Sequence, residues 1–333
     1  MRKSRIAGVG HYVPERVVTN QDLEKIMDTT HEWIVERTGI HERRYFTEGT
    51  DTTANMGTKA ARKALAMADL EPGDLDMIVF ATLSPDYVFP GSGVLVQREL
   101  GIKNIPALDV RNQCSGFIYA LSVADQFIKT GMYNHILVIG SEIHSSGLDF
   151  SDRGRAVSVI FGDGAGAVVL SPSVNAEEGI LSTHLHADGE LAEELSCLDP
   201  SSSKKERLTK EMIDEGTIYP YMNGQTVFKN AVVRFPEVIQ EALQHNHLKV
   251  TDLDMLIPHQ ANLRITSFVQ QKMGLPEEKV FSNIQRYGNT TAASVPIALS
   301  EAVEQGKIKT GDLVCLAAFG SGFTWASALI RWS

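Results

Sequence analysis

Two stretches of this chain nearly repeat each other: "LEPGDLDMIVF" from Leu70 and "LKVTDLDMLIP" from Leu248. Each follows a helix-like segment, "TKAARKALAMADL" in one case and "FPEVIQEALQHNHL" in the other. Each precedes another helix that stops at a glycine, in "VQRELGI" and "VQQKMGL". A polar turn before a helix comes next in both places, "NQCSGF" and "YGNTTAAS". Apolar strands follow, "HILVIGS" and "DLVCLAAFGSG", and the two series close on "FGDGAGAVVL" and "FGSGFTWASALI". One short match is chance; a run of elements in the same order is a duplicated α/β unit. The predicted halves are 1–170 and 171–333. The polar, irregular stretch near 186–220 interrupts the second half and is expected over the surface or the mouth of a site.

Composition narrows the function. The chain has 333 residues, 43% hydrophobic and 22% charged, enough for a large core. A net charge of −10 argues against general nucleic-acid binding, while leaving room for a local basic patch. Cys114, Cys197 and Cys315 are far apart with no C-x-x-C, which disfavours a zinc site or a disulfide framework and suits a reducing cytoplasm. "MRKSRIAGVGHYVPE" lacks the apolar run of a signal peptide, and no segment approaches the roughly 20 apolar residues of a membrane span.

Cys114 follows the strand-like "IPALDV". It precedes a helix whose apolar positions are Phe117, Ala120, Leu121, Ala124, Phe127 and Ile128. A helix N-terminus offers free N–H groups and a positive dipole end, which favour a thiolate and an oxyanion on an attached acyl group. Local context leaves a nucleophile and a buried filler level. His259 in "DMLIPHQANLRI" and Asn289 in "RYGNTTAASVP" occupy comparable strand-to-helix junctions. Alone, each reads as a structural histidine or a turn asparagine. Three polar groups at the carboxyl ends of strands, where α/β sheets collect ligands, reverse that preference.

At this point "HEWIVERTGIHERR", "NQCSGF", "DRG…FGDGAGAVVL", "PHQANLRI", "YGNTTAASVP" and "FGSGFTW" together resemble the signatures of the β-ketoacyl-acyl carrier protein synthase III family. The resemblance implies a thiolase-like fold, with two duplicated α/β halves in a five-layered α/β/α/β/α arrangement, in a homodimer. It implies decarboxylative condensation of an acyl-coenzyme A with malonyl-acyl carrier protein, with coenzyme A thioester as substrate and no cofactor or metal. Cys114 then resembles the acylated nucleophile, with His259 and Asn289 as its partners. Trp33 and Arg153 resemble the pair around the adenine of coenzyme A, and Arg37 the residue near its phosphates. Asn223, Gly224 and Phe228 resemble the pantetheine tunnel wall, and Asn262 a hydrogen-bonding residue there. Lys229, Arg264 and Lys272 resemble a patch for acidic carrier protein. Phe319 resembles the aromatic beside the cysteine. Phe161 and Phe89 are similar to acyl-pocket residues, Phe89 reaching into the partner subunit. Ser321 stands where the family often has glycine. Serine keeps the backbone N–H of a second oxyanion donor, and fits well only if the position does not require a positive φ.

Other patterns carry less. "GDGAG" at 162–166 runs into a strand rather than a helix and reads as tight packing, not a phosphate loop. His184 and His186 alternate along a strand without further metal ligands nearby, and "SSSKK" reads as a solvated loop. A cysteine hydrolase shares the order Cys, His, Asn but not a "CGSCW" motif. A thiolase needs a second cysteine that "FGSGF" lacks. A binding-only paralogue is disfavoured because all three candidates are present. A specialised synthase with the same triad stays open.

Overall fold

A computed structural model describes residues 2–175 and 177–333. The strands in chain order are β1 (Ser4–Tyr12), β2 (Val17–Thr19), β3 (Glu42–Arg44), β4 (Met77–Ala81), β5 (Ala107–Val110), β6 (Ile136–Glu142), β7 (Gly164–Pro172), β8 (Gly179–Ala187), β9 (Leu195–Ser196), β10 (Tyr221–Met222), β11 (Met255–Pro258), β12 (Leu313–Gly320) and β13 (Thr324–Arg331). One sheet has the order β1-β7-β6-β4-β5, the other β11-β12-β13-β8. Directions match as well as order. β7 is antiparallel to β1 and β6, as β13 is to β8 and β12; β4 and β6 are parallel, as are β11 and β12. A parallel bridge from Leu256 to Val280 stands where the first sheet has β5. The echoed "DLDM" opens β4 in one half and β11 in the other. Even the helix stops agree: Gly101 (φ +75°) and Gly274 (φ +66°) close Ser92–Leu100 and Leu263–Met273 in the left-handed conformation that glycine adopts at no steric cost.

Helices Gly116–Lys129 and Ser294–Glu304 lie between the two sheets, and their side chains share one core with strands of both. The other long helices cover the outer faces. Thr53–Met67 and Ser92–Leu100 pack on the first sheet, Gly224–His245 and Leu263–Met273 on the second. The result is the duplicated α/β/α/β/α stack. A helix between two sheets is covered on more than one face. Gly116–Lys129 therefore buries Ile118, Ser122 and Asp125 in addition to the stripe read from sequence. Asp125 is compensated by Lys129 at 2.7 Å and the Ser4 hydroxyl at 2.6 Å.

Two expectations need correcting. "IPALDV" reads as a fully buried strand, but β5 is the edge of its sheet and Leu108 is 40% exposed. Ala107 packs against the outer core and Val110 against the central one, so both faces are only partly covered. The 186–220 stretch is not wholly irregular: it contains β9, paired antiparallel with β10, and a helix Lys210–Glu215 started by the Thr209 side chain. "GDGAG" is tight packing. A Cβ at Gly166 would lie 2.6 Å from the Ile297 nitrogen, so β7 and the central helix Ser294–Glu304 approach backbone to backbone. His184 and His186 sit on β8 and share the Glu241 carboxylate, at 3.2 and 2.6 Å.

Phe117 is fully buried at the start of the central layer. Phe117→Ala is expected to lower unfolding free energy by about 3–5 kcal/mol, read as a lower urea midpoint at unchanged slope.

Candidate active site

Both central helices start in the same way. A 3-10 turn, Gln113–Ser115 or Thr291–Ala293, turns the chain from the sheet rim into the helix. The first residue of each turn has a positive φ, +42° at Gln113 and +49° at Thr291, which is uncommon for non-glycine residues. Cys114 thus sits in the turn ahead of the helix rather than in its first turn. The loops of the two halves are sewn together here. The Asn289 N–H donates to Ile160 O at 2.9 Å, and the Gly162 N–H to Asn289 O at 3.0 Å.

A cavity of about 280 Å³ opens at this seam. Cys114, His259 and Asn289 all line it, together with Phe161, Phe319, Ser321, Gly224, Phe228 and Asn262. Gly320 is required for the fit, because a Cβ there would come within 2.7 Å of the Cys114 sulfur. The left-handed backbone of this loop falls on Gly322 (φ +134°), not on Ser321, so serine is accommodated. Its N–H faces the Cys114 sulfur. Its hydroxyl donates to Leu195 O, tying the loop to β9, where Leu195, Ser196 and Cys197 form part of the cavity wall.

Burial sets the protonation states. It pushes the Cys114 thiol up to about 12, against the opposing N–H groups of Ser321 and of Cys114 itself. The thiolate expected from helix position alone is therefore not the resting form. Burial, helped by nearby His144, pushes His259 down to about 3, so its imidazole is neutral. Ser294 Oγ accepts from the Gln260 N–H and pairs with His259 Nδ1. With the hydroxyl proton directed to Nδ1, Nε2 carries the N–H. That Nε2 is buried and has no partner among the described residues. Asn289 Oδ1 accepts the Thr291 N–H at 2.8 Å, leaving its amide nitrogen as the free donor. Two neutral donors and a thiol thus share one cavity.

The remaining candidates divide. Trp33 is flanked by Arg37 at 4.7 Å and by Arg155 at 4.9 Å. Arg153 instead bonds Asp149 at 2.7 Å and the Asp214 carbonyl at 2.8 Å, 5.9 Å from the Tyr219 ring. Asn223 is outside the cavity lining and caps helix Gly224–His245 through Thr226 N–H. Lys229, Arg264 and Lys272 are exposed on the two helices that cover the second sheet. Phe89 is 82% exposed, away from its own cavity.

Sequence reading missed Glu142, His144, Arg155 and Thr291. Glu142 is fully buried, and burial pushes it up to about 7. It receives Thr82 Oγ1 at 3.1 Å, Ser84 Oγ at 2.6 Å and the Leu83 N–H at 3.2 Å, fixing Leu83 in the cavity wall. Glu142 and His144 stand at the carboxyl end of β6, so the rim rule applied to "HILVIGSEIH" would have found them.

This layering, with a cysteine at the head of a central helix, is that of the thiolase-like proteins. A family model described as 3-oxoacyl-[acyl-carrier-protein] synthase III matches residues 108–189, and one for its C-terminal region matches 243–332. The β-ketoacyl-[acyl-carrier-protein] synthase III of Salmonella arizonae is 49% identical over 98% of this chain and 99% of its own length. That of Methylococcus capsulatus is 46% identical over 99% of both. The crystal structure of 3-oxoacyl-[acyl-carrier-protein] synthase III from Aquifex aeolicus superposes with a TM-score of 0.90 at 45% identity, covering 99% of this chain and 100% of that one. The priming β-ketosynthase of the R1128 polyketide pathway also gives 0.90, at 35% identity over 100% and 97%. The chain belongs to the β-ketoacyl-[acyl-carrier-protein] synthase III family.

Alkylation of Cys114 by iodoacetamide is expected to rise about tenfold per pH unit from 7 to 10 without levelling. Only the thiolate reacts, and burial keeps it scarce until near pH 12. Mass-spectrometric labelling rates check this; a plateau near pH 8.5 contradicts it.

Proposed function

We propose that this chain condenses an acyl-coenzyme A with malonyl-acyl carrier protein, with loss of carbon dioxide, to begin fatty acid synthesis. The observation that carries this reading is the pairing of Cys114 with two neutral donors, His259 Nε2 and the Asn289 amide, in one buried cavity. Cys114 attacks the acyl thioester, and its proton ends on the departing coenzyme A sulfur. The N–H groups of Cys114 and Ser321 stabilise the oxyanion of that step. Malonyl thioester then places its carbonyl oxygen between His259 and Asn289. As carbon dioxide leaves, its bonding electron pair becomes an enolate whose oxygen both donors hold. Neutral donors stabilise this charge most in the transition state. The enolate carbon attacks the acyl-Cys114 carbonyl and expels the sulfur, giving a 3-oxoacyl product. The route calls for no metal or cofactor.

Half 1–170 supplies the nucleophile and half 171–333 both donors. Coenzyme A binds along Trp33, Arg37 and Arg155, with Arg153 recruited from Asp149 when the adenine arrives. Asn223, Gly224, Phe228 and Asn262 border the pantetheine, and Lys229, Arg264 and Lys272 dock the acidic carrier protein. A second copy receives the exposed Phe89 beside its acyl pocket, forming a homodimer. Three free cysteines suit a reducing compartment such as the cytoplasm. Among the described residues no helix is long and apolar enough to cross a membrane. The 35%-identical priming ketosynthase keeps a second reading, a specialised priming synthase with the same chemistry.

The reaction splits into separable steps. Cys114→Ala is expected to abolish condensation while leaving carbon dioxide release from malonyl-carrier protein. His259→Ala or Asn289→Ala is expected to slow that release about 100- to 1000-fold while Cys114 still becomes acylated. Condensation by Cys114→Ala at the parent rate would refute the assignment.

A further inference from the structure

His144 is 7% exposed, lines the cavity and packs its ring against Phe161 at 4.7 Å between centroids. The mechanism gives it no role. Its Nε2 meets Thr291 Oγ1 at 2.6 Å. Thr291 also lines the cavity, and its β-branched side chain is held on a left-handed backbone, φ +49°. Such a position persists only where its surroundings enforce it. With the Thr291 hydroxyl donating to Nε2, its one acceptor among the described residues, the imidazole hydrogen sits on Nδ1. Nδ1 makes no hydrogen bond among the described residues and keeps some accessible surface, in a residue that lines the cavity. A wall of Leu83, Ile160 and Phe161 would suit a plain hydrocarbon chain. An unpaired N–H in that wall does not, because burying it against methylenes leaves a polar group unsatisfied.

We propose that the His144–Thr291 pair recognises a neutral oxygen on the acyl group that Cys114 carries, a hydroxyl or a keto oxygen beyond the thioester. The substrate class is a short oxygenated acyl thioester rather than a simple alkanoyl one. The inference rests on the acyl-transfer reading and narrows its donor. Both oxygen types accept the Nδ1–H, so hydroxyl and keto groups share this recognition. A carboxylate does not suit the pair itself, because an imidazole pushed down to about 4 by burial supplies no countercharge; Arg111 in the cavity lining makes succinyl the control for that case. A site built to pair a substrate oxygen discriminates strongly against the analogue lacking it, since its own donor is then stranded.

The test compares four-carbon coenzyme A thioesters on the intact chain: butyryl, 3-hydroxybutyryl, acetoacetyl and succinyl. The readout is the rate of Cys114 acylation by intact-protein mass spectrometry. The 3-hydroxybutyryl or acetoacetyl donor, or both, is expected to acylate at least tenfold faster than butyryl. That preference is expected to shrink to below twofold in His144→Leu and to fall in Thr291→Val, with thermal melting confirming that both variants fold. Equal or faster acylation by butyryl or succinyl in the parent chain overturns the inference while leaving acyl transfer intact. So does a preference that survives His144→Leu. Failure of every donor to label Cys114 removes the acyl-transfer reading and this inference together. The parent comparison needs no variant, so the outcome does not depend on the substitutions folding.

Discussion

Two helices held between sheets set the terms for everything else. Gly116–Lys129 and Ser294–Glu304 are buried along most of their length, so small and apolar residues dominate their surroundings. Backbone approaches backbone at Gly140 against Ala292, at Gly166 against Ile297 and at Gly320 against Cys114. Side chains larger than hydrogen at these places would push the layers apart. The same closeness delivers the two sharp turns, one from each half, to a common cavity.

Burial then governs the chemistry. It holds three groups of the cavity lining in their neutral forms: a thiol at Cys114, an uncharged imidazole at His259, another at His144. Charge appears only as bonds break, and the donors are already in place when it does. Preorganised dipoles in a water-poor site need no rearrangement at the moment of reaction. Behind the cavity, Glu142 gathers four hydrogen-bonding groups from Thr82, Leu83 and Ser84, giving the wall a fixed backing.

Much of this was legible in the sequence because duplication writes the same pattern twice. The "DLDM" echo located matching strands, and the strand-to-helix junctions located Cys114, His259 and Asn289, which the fold brings to one cavity. What escaped depended on contacts that periodicity does not encode. An edge strand and a central strand look alike in "IPALDV". Arg155, which the sequence did not single out, stacks on Trp33, while Asp149 and the Asp214 carbonyl hold Arg153. The strand end in "HILVIGSEIH" could have flagged His144, but its pairing with Thr291, far along the chain, is not written there. Position at a helix start suggested a thiolate, but desolvation outweighs the local N–H groups.

The seam through Ile160, Gly162 and Asn289 also fixes how the molecule can move. Its backbone bonds join one half to the other through the very loops that form the reaction chamber. A clamshell motion would therefore tear the chamber it was meant to open. Beside it β9 pairs with β10, and the Ser321 hydroxyl fastens β9 to the loop facing the sulfur. A shift of that part of the cavity wall is thereby carried to the backbone N–H next to Cys114.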